Sequence, residues 1–298
     1  MLDYKLLEAL DMVARAGSFD GAARRLHLTQ SAVSQRIRQL EEKHGCVLLS
    51  RDPVAPTPEG ERLLAHVRRV QQLEAELARD AGAADAWRSV AIGVNADSLA
   101  VGLIAALAPA LAAQHILLDC VIDDEAYTLE SLRRGAVVGC IASEAAPVPG
   151  CAVRPLGGLD YLPVATPDFA ERYFKAGLNA ATLAAAPAAV FAHRDSLHRR
   201  WLREAHGLAE GSYPAHVIPE SNALYAAALA GIAYAVVPKA QAAAALRAGR
   251  LVGLGATTLT VPLFWHHWTK QSPVAEQIGA ALVEFAAGHF NPLPGEPS

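Results

Sequence analysis

The sequence lacks several features that would place it in other classes of protein. Its 298 residues contain only four cysteines, at 46, 120, 140 and 151, too sparse for a disulfide scaffold and in no Cys-x-x-Cys zinc or redox pattern. The first residues lack the basic-then-apolar order of a signal peptide, and the longest apolar run, 99–113, is interrupted by Gly102 and Pro109. The sequence therefore predicts reduced thiols, a cytoplasmic location and no membrane partner.

Local patterns typical of enzymes are also missing. None of the five lysines follows a glycine, so there is no phosphate-binding P-loop, and neither a Gly-x-Ser-x-Gly elbow nor a His-Glu-x-x-His zinc helix occurs. His266 and His267 are adjacent on a predicted strand, and neighbouring strand residues point to opposite faces. A structural role for this pair is favoured over a metal site. The sequence predicts no catalytic residues, metal or cofactor.

Charge is distributed unevenly along the chain. Residues 1–80 contain 12 Lys/Arg and 12 Asp/Glu, which leaves 14 and 18 for residues 81–298 and places the whole net charge of −4 there. The window Gly21–Leu40 holds four arginines and no acid. Such a local excess of positive charge suits a phosphate backbone, so the two parts of the chain are expected to have different partners.

The first part is expected to form three short helices. Apolar residues at helical spacing end at Gly17, Ser18 can cap a second helix, and Thr29 can cap a third that ends before Gly45. The outward face of the third helix carries amides, hydroxyls and guanidinium groups, which suit an entry into the major groove. An ordinary three-helix bundle with a polar face is the alternative, and the acid-free basic window favours DNA.

A wing and a long helix are expected next. Residues 47–51 predict a short strand, the prolines of 52–56 a β-wing beside the third helix, and Thr57-Pro58-Glu59 the start of a helix running to about Ala81. Asp52 puts a negative charge beside Arg51, which weakens the case for a phosphate contact at the wing. The predicted DNA-contact set is Ser18, Arg24, Thr29, Gln30, Ser31, Ser34, Gln35, Arg36, Arg38 and Arg51.

The long helix carries a near-heptad apolar stripe. Its members are Leu63, Val67, Val70 and Leu77, with Glu74 interrupting the pattern. Such a seam usually pairs two copies of a helix, so a dimerising linker is predicted. The alternative is that the stripe packs on the chain's own core.

From Ser89 onward strands and helices alternate. Strands are expected at 90–95, 116–122, 136–142, 161–165, 188–192, 215–218, 233–237 and 261–268, with helices between them and a last one at 273–287. The sequence thus predicts an α/β fold with an N-terminal all-α winged helix-turn-helix, followed by two doubly wound α/β lobes. Expected limits are 1–58 for the DNA-binding domain, 59–88 for the linker, and 89–298 for the rest, with lobe 1 at 89–162 and 265–290 and lobe 2 at 163–264.

Ligands of open α/β sheets lie beyond the carboxyl ends of the strands, so polar residues at these ends are candidates. Backbone N–H groups and Ser98 could hold a carboxylate, although Asp97 is expected to cap its helix, and the acids 123–125 could accept an ammonium or guanidinium group unless they form only a solvated turn. The predicted effector set is Asn95, Asp97, Ser98, Asp123, Asp124, Glu125, Ser143, His193, Asp195 and Asn222.

Three stretches of the first sixty residues carry a resemblance to a known family. Residues 22–26, 29–41 and the Pro-Thr-Pro-Glu-Gly exit at 56–60 resemble the LysR-type transcriptional regulators. Residues 34–37, 95–99 and 159–162 are similar to the branch that controls arginine or lysine export, and the likeness runs from about Leu2 to Phe285.

The resemblance implies a dimer or tetramer that binds promoter DNA, engages RNA polymerase and responds to lysine or arginine in a bilobed domain similar to periplasmic binding proteins. A rival interpretation is a less specific DNA-binding protein of replication control or chromosome architecture. The exposed arginines alone would serve that role equally well.

Overall fold

A computed structural model gives the fold of residues 3–80, 87–122, 125–192, 196–207, 213–255 and 257–293. Within these ranges, no helix is long and apolar enough to cross a membrane.

Three short helices open the chain, α1 (Tyr4–Ala16), α2 (Phe19–Leu26) and α3 (Gln30–His44). The predicted capping residues are confirmed, since the side chains of Ser18 and Thr29 accept hydrogen bonds from the backbone N–H groups of Gly21 and Ala32. Gly17 and Gly45 end α1 and α3 in the left-handed conformation, as expected. The helices share one core, in which the buried residues of α3 are Val33, Ile37 and Leu40.

A hairpin of two strands follows α3 and forms the predicted wing. Strands β1 (Leu49–Arg51) and β2 (Val54–Pro56) are antiparallel, and helix α4 (Pro58–Asp80) begins directly afterwards. Leu64 and Val67 of α4 are buried in the core of α1–α3, and Leu63 packs against it. The first half of the predicted dimerisation stripe is therefore used within the chain, whereas the side chain of Leu77 lies outside the described set.

The described residues from 88 onward form one sheet of nine strands with helices between the strands. The strands are β3 (Arg88–Val94), β4 (Ile116–Ile122), β5 (Gly139–Ala142), β6 (Cys151–Ala165), β7 (Ala188–Val190), β8 (Ala215–Val217), β9 (Tyr234–Pro238), β10 (Val252–Gly253) and β11 (Leu259–Trp268). The helices are α5 (Ala96–Ala100), α6 (Leu103–Ala113), α7 (Glu125–Arg133), α8 (Pro167–Phe174), α9 (Ala180–Ala185), α10 (Ser196–His206), α11 (Ser221–Leu229), α12 (Lys239–Arg247) and α13 (Pro273–His289).

Two long antiparallel strands divide this sheet into two lobes. The strand order is β4-β3-β5-β11-β6-β9-β7-β8, and β10 pairs with β6. The β3–β4, β3–β5, β7–β8 and β7–β9 pairs are parallel, whereas β6 and β11 pair with each other in opposite directions. The chain crosses between the lobes along β6 and β11, and the predicted two-lobed α/β architecture is confirmed.

Several predicted boundaries differ from the structure. The helix expected over 99–113 is split into α5 and α6 at Gly102, whose φ of +107° is a conformation that glycine adopts readily. Strand β5 begins at Gly139 instead of 136, and β6 begins at Cys151, ten residues before the predicted start at 161.

Candidate functional site

The exposed face of α3 carries the polar residues predicted to meet DNA. Gln30, Ser31, Gln35 and Arg38 are exposed, and Ser34 and Arg36 are half-buried. The opposite face of the helix is fixed in the core, so this polar surface points to solvent as one continuous strip. Amide and guanidinium groups so placed can make paired hydrogen bonds to adenine and guanine edges.

Two hydroxyls of the predicted set hold the starts of helices. The Ser18 Oγ accepts from the Gly21 N–H at 3.1 Å, and the Thr29 Oγ1 accepts from the Ala32 N–H at 3.2 Å. Thr29 Oγ1 also lies 3.0 Å from Ser31 Oγ. These side chains therefore have a structural role that is independent of any contact with phosphate.

Acids just outside the basic window reach its arginines. Arg24 forms an ion pair with Asp20, and the Arg38 Nε lies 3.7 Å from a carboxylate oxygen of Glu42. Both pairs are well exposed, so phosphate oxygens can replace the carboxylates at little cost. Counting charges along the sequence missed these pairs because each acid lies one helical turn from its arginine, beyond the end of the window.

The wing brings its arginine to the start of α2. The Arg51 guanidinium carbon lies 5.6 Å from the centroid of the Phe19 ring, and Arg51 is exposed. The Ser50 hydroxyl donates to the Pro53 carbonyl oxygen at 2.6 Å and accepts from the Ala55 N–H at 3.1 Å. Arg51 is thus held beside Ser18 and Phe19, on the side of the domain where α2 starts.

In the two-lobed part, the cap of α5 is not the residue expected. The Asn95 Oδ1 accepts from the Ser98 N–H at 3.2 Å, which makes Asn95 the N-cap. The expectation that Asp97 caps this helix is wrong, because Asn95 precedes the helix and has the extended backbone of a capping residue. The Asp97 carboxylate is therefore available for other contacts.

Asp97 joins the two lobes. Its Oδ2 accepts from the Tyr161 hydroxyl at 2.7 Å, and its Oδ1 accepts from the Ser221 hydroxyl at 2.6 Å. Tyr161 belongs to the crossing strand β6 and Ser221 to the first turn of α11 in the second lobe, and both are buried. The sequence did not assign Tyr161 to the site, because these partners are 64 and 124 residues from Asp97 and no local pattern relates them.

Ser98 lies next to this bridge. Its side chain is fully buried, and its Oγ has no hydrogen-bond partner among the described residues. Buried hydroxyls normally have a partner, so the Ser98 hydroxyl is a candidate for contact with a bound polar group. Ser143, another predicted residue, follows β5 and is half-buried.

Asn222 lies at the start of α11 on the opposite lobe. Its Nδ2 donates to Glu220 at 3.2 Å, and its Oδ1 accepts from the Gln241 amide at 3.1 Å. Glu220 caps α11, because its carboxylate accepts hydrogen bonds from the backbone N–H groups of Asn222 and Ala223. These bonds hold the pKa of Glu220 below its usual range. Asn222 thus links the starts of α11 and α12, and it is exposed.

The remaining predicted effector residues belong to segments that the structure does not describe in full. Asp123, Asp124, His193 and Asp195 lie outside the described residues. Glu125 is the first residue of α7, and its side chain lies outside the described set. The proposed acceptor for a cationic group therefore stays a prediction.

The adjacent histidines have different environments. His266 is fully buried, and its Nε2 donates to the Glu144 carbonyl oxygen at 2.7 Å. Burial lowers the pKa of His266, and the bond to Glu144 opposes this only in part. The His267 Nδ1 lies 2.9 Å from the Trp268 carbonyl oxygen. Within the described part of the chain, no group of three or more metal-ligating side chains comes together.

Comparison with known protein families assigns the chain to one of them. Residues 4–61 match the family "Bacterial regulatory helix-turn-helix protein, lysR family", and residues 88–287 match "LysR substrate binding domain". The chain belongs to the LysR family. It is therefore a DNA-binding transcriptional regulator and not an enzyme, as its sequence predicted.

Relatives and solved structures are similar to this chain over nearly its whole length. The chain is 43% identical to the HTH-type transcriptional regulator ArgP of Aeromonas salmonicida, across 95% of this chain and 96% of that protein. ArgP of Mycobacterium tuberculosis has a similar structure, with 37% identity, a TM-score of 0.88 and coverage of 98% of this chain and 100% of that one. Full-length LysG of Corynebacterium glutamicum "with bound effector Arg" has 31% identity and a TM-score of 0.81, across 98% and 100% of the two chains.

Proposed function

We propose that this LysR-family regulator senses lysine or arginine in the cleft between its lobes and controls a gene for export of a basic amino acid. Similarity to the ArgP regulators and to the arginine-bound LysG supports a basic amino acid as the ligand. The same reasoning proposes a homodimer or homotetramer that binds promoter DNA and engages RNA polymerase. The limits 1–58, 59–88 and 89–298 are its proposed domains.

The observation that carries the effector proposal is the Asp97 bridge beside Ser98. One carboxylate holds hydroxyls of β6 and α11, and a buried hydroxyl without a partner lies next to it in the chain. The ammonium group of an amino acid can donate hydrogen bonds to a protein carboxylate. Its own carboxylate can accept a hydrogen bond from a protein hydroxyl. The acids 123–125, at the start of α7, would accept the cationic side chain.

The proposed mechanism is linkage between ligand and lobe arrangement. Because Asp97 connects the lobes, a ligand that takes over its hydrogen bonds favours one arrangement of α5 and α11 over another. A ligand with different affinities for two arrangements shifts the population toward the one it binds better. The DNA-binding domains of an oligomer would then change their spacing.

Calorimetry of the full-length protein tests the effector. We expect saturable binding of lysine or arginine at micromolar concentration, and no comparable heat with leucine. If no basic amino acid binds, the effector assignment is wrong, whereas the DNA-binding function established by family membership is unaffected.

An Asp124→Asn variant tests the acidic turn. We expect weaker binding of the basic amino acid and unchanged effector-free DNA binding, because only the ligand's cation loses a partner. Asp119→Asn is the matched control, since Asp119 is an exposed acid on β4. Parent-like ligand affinity in the Asp124 variant would show that the turn is solvated surface.

A further inference from the structure

Among the described residues, helix α4 contacts the carboxyl end of helix α7, which is the end far from the predicted effector acids. The α4–α7 contact consists of Glu61, Ala65 and Arg68 on α4 with Arg134 and Gly135, the two residues that directly follow α7. The nine residues of α7 separate it from Glu125 by about 13 Å at 1.5 Å per residue. Helix α4 belongs to the DNA-binding side of the chain, because it packs on α1 and follows the wing.

Two polar interactions and one close approach make the contact. The Arg68 Nη1 donates to the Arg134 carbonyl oxygen at 3.2 Å, and an Arg134 guanidinium nitrogen lies 3.9 Å from a Glu61 carboxylate oxygen. Gly135 has a φ of +61°, and a Cβ at this position would lie 3.1 Å from the Ala65 carbonyl oxygen. A guanidinium at the carboxyl end of a helix also meets the favourable end of the helix dipole.

The contact is complementary but weakly held. The side chains of Arg134 and Glu61 are 48% and 20% exposed, and an exposed pair of this kind contributes little to stability. Beside it lies a cavity of about 560 Å³ whose lining includes Pro58, Glu61 and Arg133. A small change in the position of α7 is therefore sufficient to make or break it.

Helix α7 can transmit such a change along its length. Thr128 and Leu132 are buried, and Thr128 packs so closely on β3 that a Cβ at Gly93 would lie 2.7 Å from its methyl group. Close packing keeps the helix from bending, so a shift at its start displaces its end.

We propose that the α4–α7 contact carries the occupancy of the effector cleft to the DNA-binding domain, with Arg134 and Glu61 as positioning residues. The proposal rests on the proposed function, since it requires a ligand at the start of α7. It adds the contact through which ligand binding affects the DNA-binding domain of the same subunit.

The first test compares Arg134→Ala with Arg133→Ala in the full-length protein. Arg133 is the matched control, because it is the neighbouring arginine, pairs with Glu130 at 3.4 Å and makes no described bond to α4. With arginine as the probe, calorimetry gives ligand affinity, and titration of a DNA fragment selected with the parent gives DNA affinity with and without arginine. We expect Arg134→Ala to bind arginine within twofold of the parent while the effect of arginine on DNA affinity falls at least threefold, and Arg133→Ala to keep the parent's response.

Either of two results would overturn the proposal: a parent-like response in Arg134→Ala, or an equal loss in Arg133→Ala. Binding of neither lysine nor arginine by the parent would overturn the proposed function, and the signalling role with it, which distinguishes that failure from a failure of the contact alone.

A second test locks the α4–α7 contact with a disulfide. A Cβ built at Gly135 lies 3.4 Å from the Ala65 Cβ, close to the separation found in disulfides. We expect the Ala65→Cys/Gly135→Cys pair to cross-link on mild oxidation, unlike either single variant, and the cross-linked protein to lose its DNA response to arginine until dithiothreitol restores it. Failure to cross-link, or a full response in the cross-linked protein, would contradict the proposal.

Discussion

At the scale of single residues, we propose that Gln35 reads an operator base. It is exposed on α3 two residues after the buried Val33 and two before the buried Ile37. Replacing Gln35 with alanine should cost about 1–3 kcal/mol of binding free energy at one operator base position and little on random DNA. Titrations of both DNAs at several salt concentrations measure this, with Gln71→Ala on α4 as the control. Equal losses on both DNAs would favour the less specific mode of binding.

His266 makes stability depend on pH. Because burial lowers its pKa below the usual value near 6.5, the unfolded chain takes up a proton at a higher pH than the folded one does. The contribution of neutral His266 to the free energy of unfolding is therefore complete above about pH 6.5. It is lost as the pH falls below that value toward the folded-state pKa. We expect His266→Gln to flatten the fall in melting temperature between pH 7 and pH 5. His216→Gln, at an exposed position, should leave the slope unchanged, and equal slopes in all three proteins would contradict the assignment.

Single residues also show which contacts could be predicted from the sequence and which could not. The hydroxyl caps Ser18 and Thr29 were predictable, because a cap bonds within three residues of itself. The role of Asp97 was not predictable, since its partners Tyr161 and Ser221 lie 64 and 124 residues away in the chain. The polar face of α3 followed from helical periodicity, whereas its ion pairs with Asp20 and Glu42 required side chains beyond the chosen window.

At the scale of elements, the joint between α4 and the wing depends on one glycine. A Cβ at Gly60 would lie 2.0 Å from the Leu48 carbonyl oxygen, so α4 approaches the start of β1 more closely than a side chain permits. We expect Gly60→Ala to lower the free energy of unfolding by about 1–3 kcal/mol in urea titrations, because backbone must shift to admit the methyl group. Gly288→Ala in α13 is the control. Nothing lies within 4 Å of that position, so alanine should stabilise the helix by up to about 1 kcal/mol. Equal effects at the two positions would contradict the close approach.

Most elements followed from periodicity, and the exceptions have physical reasons. Residues 151–160 contain Pro155, Gly157 and Gly158, which weaken a strand pattern, yet they belong to β6 because they pair with β11. At Gly157, with a φ of +118°, a Cβ would lie 2.7 Å from the Asn291 carbonyl oxygen, so a contact from the end of the chain requires the glycine there. Long-range pairing of this kind leaves no local signal.

At the scale of the whole molecule, the crossing strands β6 and β11 hold the lobes together. Asp160 of β6 accepts from Thr260 of β11 at 2.7 Å and from the Asn291 amide at 2.6 Å. Asp97 makes the corresponding connection to α11 in the second lobe. One connection lies within strands that are continuous through both lobes, and the other depends on two hydroxyls. We therefore propose that a ligand would replace the Asp97 bridge and leave the crossing strands intact.

We propose that two chains associate through the second half of α4. Leu64 and Val67 are buried in the DNA-binding domain, whereas Val70 is half-buried, and we propose that Val70 and Leu77 of the apolar stripe pair with a second copy of the helix. We therefore expect Leu77→Glu to weaken self-association at least tenfold in sedimentation equilibrium, since it places a charge in the helix seam. Gln71→Glu adds the same charge at an exposed position and should not change association. DNA with two half-sites should also bind the Leu77 variant more weakly, because two linked domains bind such a site better than two separate ones. If Leu77→Glu associates like the parent, the chains meet through another surface, and the heptad pattern of α4 serves only its own domain.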